Sequence, residues 1–323
     1  MTGSARQRKT TELNVHTLVL PDCPEGQRLD LALAAALPQF SRSRLATWVK
    51  AGAVTVDGAT ARPRDAVYGG EAVVVRAQAA PSTDVHAESI ALKVALRDPH
   101  FFVIDKPAGM VVHPGAGNRA HTLQNGLLAL DPKLAGIPRA GIVHRIDKDT
   151  SGLLVVARTL EAHKALTDAL REHEVQREYV ALCVGALTGG GTVDKPIGRH
   201  RTDRLRMSVR ADGRDAVTHY RLVERFAGHS LLRVTLETGR THQIRVHMAH
   251  IGHPLVGDPL YGGRRQLTAG TKEEQRKVLK DFKRQALHAA RLAFAHPVTG
   301  KQVSVESKLP ADFAALLVGL RGK

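Results

Sequence analysis

The chain has 323 residues, 43 % hydrophobic and 24 % charged, the balance of an ordinary folded protein rather than a fibrous or disordered one. Its 47 Lys and Arg against 31 Asp and Glu leave a formal net charge of +16, which argues for a polyanionic partner held through phosphate contacts and counterion release. Two distant cysteines, Cys23 and Cys183, exclude a disulfide framework and a cysteine-based zinc site. No apolar run approaches the ~20 residues that span a bilayer, and the leading MTGSARQRKTTELNV has no signal-peptide core, so a cytoplasmic protein with no membrane partner is expected.

Residues 1–14 are polar and basic and are expected to form a disordered tail. A small module follows over 15–76. Leu29, Leu33 and Leu37 recur at helical spacing, and Pro38 closes that helix. A second helix starts at the Ser41/Ser43 caps and buries Leu45, Trp48 and Val49. Arg42, Arg44 and Lys50 lie on its other face, as phosphate contacts or as a merely solvated helix face. Val54 and Val56 alternate as a strand into an Asp57-Gly58 turn, and a last strand covers Glu71 to Val75.

Residues 77–89 read as a small, polar, proline-containing linker. From 90 to 323 short apolar stretches alternate with turns, as in 101–105, 152–157, 179–185 and 231–239, with a helix around 161–172. This predicts an α+β domain on a mixed or antiparallel sheet.

The segment GIVHRIDKDTSGLLVVA, residues 141–157, is the most informative. As a strand up to Asp147 it puts Val143, Arg145 and Asp147 on one face and Ile142, His144 and Ile146 on the other. Asp147, Asp149, Ser151 and Gly152 also fit the first half of a calcium loop. Such a loop needs a bidentate Glu at its twelfth position, where Arg158 stands, and must lead into a helix rather than LLVVA.

Further on, RHRTDRLRMSVRADGR (199–214) is either a basic hairpin reaching towards a polyanionic partner or a solvated loop. Residues 264–291 add further Lys and Arg suited to phosphate. In THQIRVHMAH, Thr241 is a plausible helix N-cap, with Ile244, Met248 and Ile251 inward and Gly252 ending the helix. His242, His247, His250 and His253 scatter around that helix with no Cys or Glu beside them, so no metal is expected. DKPAGMVVHPG lacks both phosphate-loop patterns, so no nucleotide cofactor is expected either.

The module GQRLDLALAAALPQFSRSRLATWVKAGAVTVDG resembles the S-four family of RNA-binding domains. The ordered blocks DKPAGMVVHPG, GIVHRIDKDTSGLLVVA, VQREYVALCVG and LETGRTHQIRVHMAH resemble the large-subunit branch of the RNA pseudouridine synthases, and GHPLVGDPLYGG and QALHAARLAFAHPVTG continue the match. The resemblance implies a small N-terminal S-four-like RNA-binding domain, a linker and a pseudouridine synthase catalytic domain. It implies isomerisation of uridine in large-subunit ribosomal RNA, with ribosomal RNA or the assembling large subunit as partner and no organic cofactor. A non-catalytic RNA-binding assembly factor on the same scaffold is the rival.

Carried over by motif, Asp147 matches the catalytic aspartate and Tyr179 the tyrosine that stacks on the target base. Arg245 matches the basic partner of the aspartate, and Arg145 the arginine that can fill the gap left by a flipped nucleotide. Ile146 stands where leucine is commoner, a volume-conserving change. A carboxylate beside the anomeric carbon can attack it, remove a neighbouring ribose proton or stabilise oxocarbenium character, and the sequence leaves these three routes open.

Overall fold

The computed structural model describes residues 14–38, 40, 42–77, 85–115, 117–263 and 272–322, except for the side chains of Asn14, Ser43, Arg44 and Ala77. Residues 1–13 of the expected tail, most of the expected linker, the Ser41 cap and residues 264–271 of the basic stretch therefore lie outside the described residues, while Asn14 begins a strand, Asn14–Val19. The chain divides into two compact units, Met1–Asp84 and Val85–Lys323.

In the first unit, helices Leu29–Ala36 and Arg42–Lys50 pack their apolar faces on a four-stranded antiparallel sheet. Leu29, Leu33, Leu45, Trp48 and Val49 are all buried there. The Val54–Val56 strand turns at Asp57 and Gly58, whose φ values of 48° and 80° are those of a tight hairpin turn. The last strand runs Ala72–Ala77.

The second unit is built on a nine-stranded sheet. Its path runs from Gly191–Asp194 through Val217–Arg225, His229–Leu236, Gln176–Val184, Leu287–Ala295, Ser151–Ala157 and Phe101–Lys106 to Lys93–Arg97. Gln302–Glu306 pairs with the later half of Leu287–Ala295. Every pairing is antiparallel except that of Leu287–Ala295 with Ser151–Ala157, which is parallel and short. The α+β architecture on a mixed sheet read from the sequence is the one observed.

All seven residues of Ser151–Ala157 are buried, which explains its unbroken apolar run. Leu154 and Val156 join the core on one face, while Leu153 and Val155 pack under helix Leu160–Arg171 on the other. That helix begins where the Thr159 side chain accepts the Ala162 N–H.

The parallel junction sits where the segment after Asp147 enters the sheet. Gly152 opens the strand with φ +109°, and a Cβ there would lie 2.2 Å from the Ala289 carbonyl oxygen. Backbone and neighbour both demand glycine. Gly152→Ala should therefore destabilise the protein by roughly 2–4 kcal/mol, read as a fall in denaturant midpoint. A midpoint equal to the parent's would show that the junction can spread.

Candidate active site

The segment carrying Asp147 is not the strand the sequence suggests. Only Ile142 makes a ladder contact, an isolated bridge to Val156, and residues 143–147 run outside any strand. At Gly141, with φ +81°, the backbone lies so close to the Ala157 carbonyl that no side chain fits there. The expected alternation survives without the ladder, with Ile142 and Ile146 buried and Arg145 exposed. His144 Nε2 accepts the Val155 N–H at 3.0 Å, replacing a strand contact with a side-chain one.

The turn after Asp147 is anchored from several directions. Thr150 N–H closes it onto the Asp147 carbonyl at 3.1 Å. The Lys148 carbonyl accepts from Gly109 N–H and from Lys106 Nζ, each at 2.9 Å. Lys106 is fully buried and also donates to the carbonyls of Pro107 and Met110. Burial pulls this lysine down to about 7, against the nearby charges of Asp149 and Asp147 that favour its protonated form. Arg284 donates to the Asp149 carbonyl at 3.1 Å while gripping Asp312 on the C-terminal helix Ala311–Arg321. Gln285 donates to Thr150 Oγ1, and Ser151 Oγ meets His288 Nδ1 at 3.0 Å.

Arg245 comes from helix Gln243–His250. Its Nη1 donates to Asp147 Oδ2 at 3.0 Å, while Nε and Nη2 hold Asp258 at 2.7 and 2.9 Å. The Asp258 carboxylate has no exposed surface and also accepts the N–H groups of Leu260 and Tyr261. Burial works against the Arg245 charge, but the hydrogen bonds and charges of Asp258 and then Asp147 outweigh it and push the guanidinium up. Arg245 thus stays charged, with its plane fixed by Asp258, and offers one free corner to Asp147.

Two other expected members have different settings. Tyr179, on Gln176–Val184, is 6 % exposed and belongs to the core that surrounds the site. Burial raises its phenol, the Arg177 charge opposes that, and the Asp147 charge raises it further. Arg145 is exposed and, among the described residues, makes no hydrogen bond or ion pair. In the N-terminal unit Arg42 is committed to buried Asp30, donating from Nε at 3.1 Å and Nη2 at 2.9 Å beside a similar pair from Arg28. Its first role is to tie the two helices together. Lys50 is exposed, and the side chain of Arg44 lies outside the described residues.

The helix cap differs too. His242, not Thr241, is the capping residue, with φ 58° and no side-chain cap bond. The Gln243 side chain instead accepts the Arg240 N–H, bracing the turn that leads into the helix. Ile244 and Met248 are buried, and Gly252 ends the helix as expected. The histidines there have separate duties: His247 bonds Thr218 and the Lys195 carbonyl, and His253 bonds the Val184 carbonyl. No group of three or more His, Cys, Asp or Glu among the described residues is arranged to hold a metal. Arg158, at the place a calcium loop needs its Glu, pairs with Asp131 at 2.8 Å. Met207–Val209 pairs with Ile197–Arg199, so the basic stretch is a hairpin.

Sequence reading missed Lys106, Asp258 and Tyr261, and read Arg284 as a phosphate contact, whereas it holds Asp312 and the Asp149 carbonyl. The first three sit in DKPAG and GDPLYGG, blocks that stood out without yielding roles, because each role depends on a contact distant in sequence.

Residues 100–250 match the family model described as RNA pseudouridylate synthase, and residues 27–73 match the S4 domain. The chain is 53 % identical over 318 residues to the ribosomal large subunit pseudouridine synthase D of Xanthomonas campestris pv. campestris, covering 98 % of this chain and 96 % of that one. It is 53 % identical over 296 residues to the protein of the same name from Pseudomonas aeruginosa, covering 92 % of each. Among solved structures, human RNA Pseudouridylate Synthase Domain Containing 4 aligns with TM-score 0.57 at 26 % identity, over 71 % of this chain and 93 % of that one.

The buried, neutral His144 predicts an acid sensitivity. Burial, then the Arg177 charge, pulls its folded pKa down to about 3 from 6.5. Unfolding therefore takes up a proton between those values, and stability present above pH 6.5 is lost as pH falls towards 3. His144→Gln, which keeps an acceptor for Val155, should flatten the slope of unfolding free energy by about 1 kcal/mol per pH unit in that window. Equal slopes in urea titrations from pH 4 to 6 would refute this.

Proposed function

The chain belongs to the RNA pseudouridylate synthase family, and we propose that it isomerises uridine in large-subunit ribosomal RNA with Asp147 as the catalytic carboxylate. The observation that carries this reading is the Arg245 guanidinium, locked by Asp258 and donating at 3.0 Å to Asp147 Oδ2. The arrangement sets a fixed cation against a partly enclosed carboxylate and holds it in one direction. A binding-only protein has no use for so rigid a mount, which argues against a non-catalytic assembly factor.

The reaction breaks the bond from the ribose anomeric carbon to the base nitrogen, turns the uracil and rejoins it through ring carbon five. A stacked base cannot turn, so the nucleotide must leave the helix, at a cost of a few kcal/mol. Tyr179 offsets part of that cost by stacking on the base, and exposed, unpaired Arg145 takes the space vacated in the helix. Asp147 then meets the developing positive charge at the anomeric carbon, its own charge held by Arg245. The partner is ribosomal RNA, free or within the assembling large subunit, in the cytoplasm. No metal or organic cofactor enters these steps.

Asp147→Asn removes the charge with almost no change in shape. Single-turnover tritium release from ring-labelled uridine in large-subunit ribosomal RNA should fall by about three orders of magnitude or more, with RNA affinity nearly unchanged. Activity within about tenfold of the parent would remove Asp147 from its role.

We also propose a division of labour. The N-terminal unit binds phosphate through groups such as Lys50, while Asp147, Tyr179, Arg145 and Arg245 all belong to Val85–Lys323. A chain beginning at Val85 should keep its single-turnover rate at saturating RNA. Its binding should weaken, and its log–log salt slope should shallow by roughly 0.7–0.9 for each phosphate that is no longer neutralised. A folded truncated chain with a collapsed saturated rate and an unchanged salt slope would contradict this.

A further inference from the structure

Tyr261 and His242 form a chain of contacts that ends at Asp147. The Met207 N–H donates to the Tyr261 hydroxyl at 2.8 Å, and that hydroxyl lies 2.9 Å from His242 Nδ1. His242 Nε2 in turn lies 4.0 Å from Asp147 Oδ1, the oxygen that Arg245 does not hold. The two side chains are similarly sheltered, at 17 % and 18 % exposure.

The backbone of His242 is unusual. It is left-handed, at φ 58° and ψ 20°, a region that few residues other than glycine adopt, although histidine does so more often than most. Gln243 fixes it there: its Oε1 accepts from Thr238 Oγ1 and Arg240 N–H, and its Nε2 donates to the Val217 carbonyl and Thr218 Oγ1. A right-handed backbone at this position would aim the ring elsewhere.

Resting on the reading of Asp147 as the catalytic carboxylate, we propose that His242 is a positioning residue that presents an Nε2–H to Asp147 Oδ1. The Tyr261 hydroxyl, already accepting from Met207, gives its one proton to Nδ1. Nδ1 is then an acceptor, and the neutral ring carries its hydrogen on Nε2, facing the carboxylate. The opposite tautomer would set a lone pair against a negative charge. Burial, together with Arg245 and Arg145, keeps the ring neutral, while Asp147 and Asp258 pull the other way. The gap of 4.0 Å closes by about 1 Å when RNA fills the site, as catalytic hydrogen bonds commonly tighten in the complex. With Oδ2 held by Arg245 and Oδ1 by His242, the carboxylate plane is fixed and one lone pair of Oδ1 remains for the ribose.

The test uses two substitutions that mimic different ring nitrogens. His242→Asn accepts left-handed backbone and keeps polarity near Nδ1 but has no donor at the Nε2 position. His242→Gln carries an amide N–H out to that position. The Asn variant should lose about 10- to 100-fold in saturated single-turnover rate with RNA affinity unchanged, and the Gln variant should recover most of it. Tyr261→Phe, which leaves the backbone of His242 alone, should slow the parent about 3- to 10-fold and have no further effect in the His242→Asn background. An Asn variant as fast as the parent, a Gln variant as slow as Asn, a loss seen only in RNA affinity, or additive effects of Tyr261→Phe would each overturn the proposal. Asp147→Asn measured alongside separates the two readings: if it is inactive while His242→Asn is fast, only the role of His242 falls.

Discussion

One buried guanidinium sets the rest of the site. Arg245 gives two donors to Asp258 and one to Asp147, so a single cation serves two carboxylates. Asp258 is wholly enclosed and has its own backbone donors, which makes it the fixed end of the pair. Asp147 is the end left open to the solvent side. A lysine could not do this, because an ammonium has no planar fork to be clamped at one edge and offered at the other. Breaking the buried side would leave an uncompensated charge in the core, so the geometry around Arg245 is costly to alter and correspondingly rigid.

Most of the architecture was legible in the sequence, and the failures are instructive. Strands such as Phe101–Lys106 and Ser151–Ala157 announce themselves because both faces are covered and their apolar runs are unbroken. The segment before Asp147 has the same alternation of apolar and polar residues, yet it forms no strand. Its pattern records which side faces the core, while after the Ile142 bridge to Val156 the backbone leaves the ladder. Likewise Thr241 looks like a helix cap, whereas the cap position is His242 in a left-handed turn, with Gln243 bracing the residues before it.

The site itself was legible at Asp147 and Arg245, because the motifs that carry them are short and ordered. The groups that mount them were not. Lys106 reads as a charge next to a proline, and nothing local says that its ammonium will gather three carbonyls beneath the turn of Asp147. Arg42 shows a contact that local sequence cannot reveal. A basic residue at a helix start suggests phosphate, but a buried Asp30 twelve positions earlier claims its guanidinium first.

The mount of the Asp147 turn is assembled from both ends of the domain. Arg284, Gln285 and His288 reach Asp149, Thr150 and Ser151 across separations of 135 to 137 positions. Contacts that distant form only after the loops between them have closed. A nascent chain that has been synthesised as far as residue 250 already contains Asp147, Tyr179 and Arg245, yet lacks the strand Leu287–Ala295 that seats the turn. The seat of the Asp147 turn is therefore complete only once that late strand has been made and has paired, an order of assembly written into the strand order.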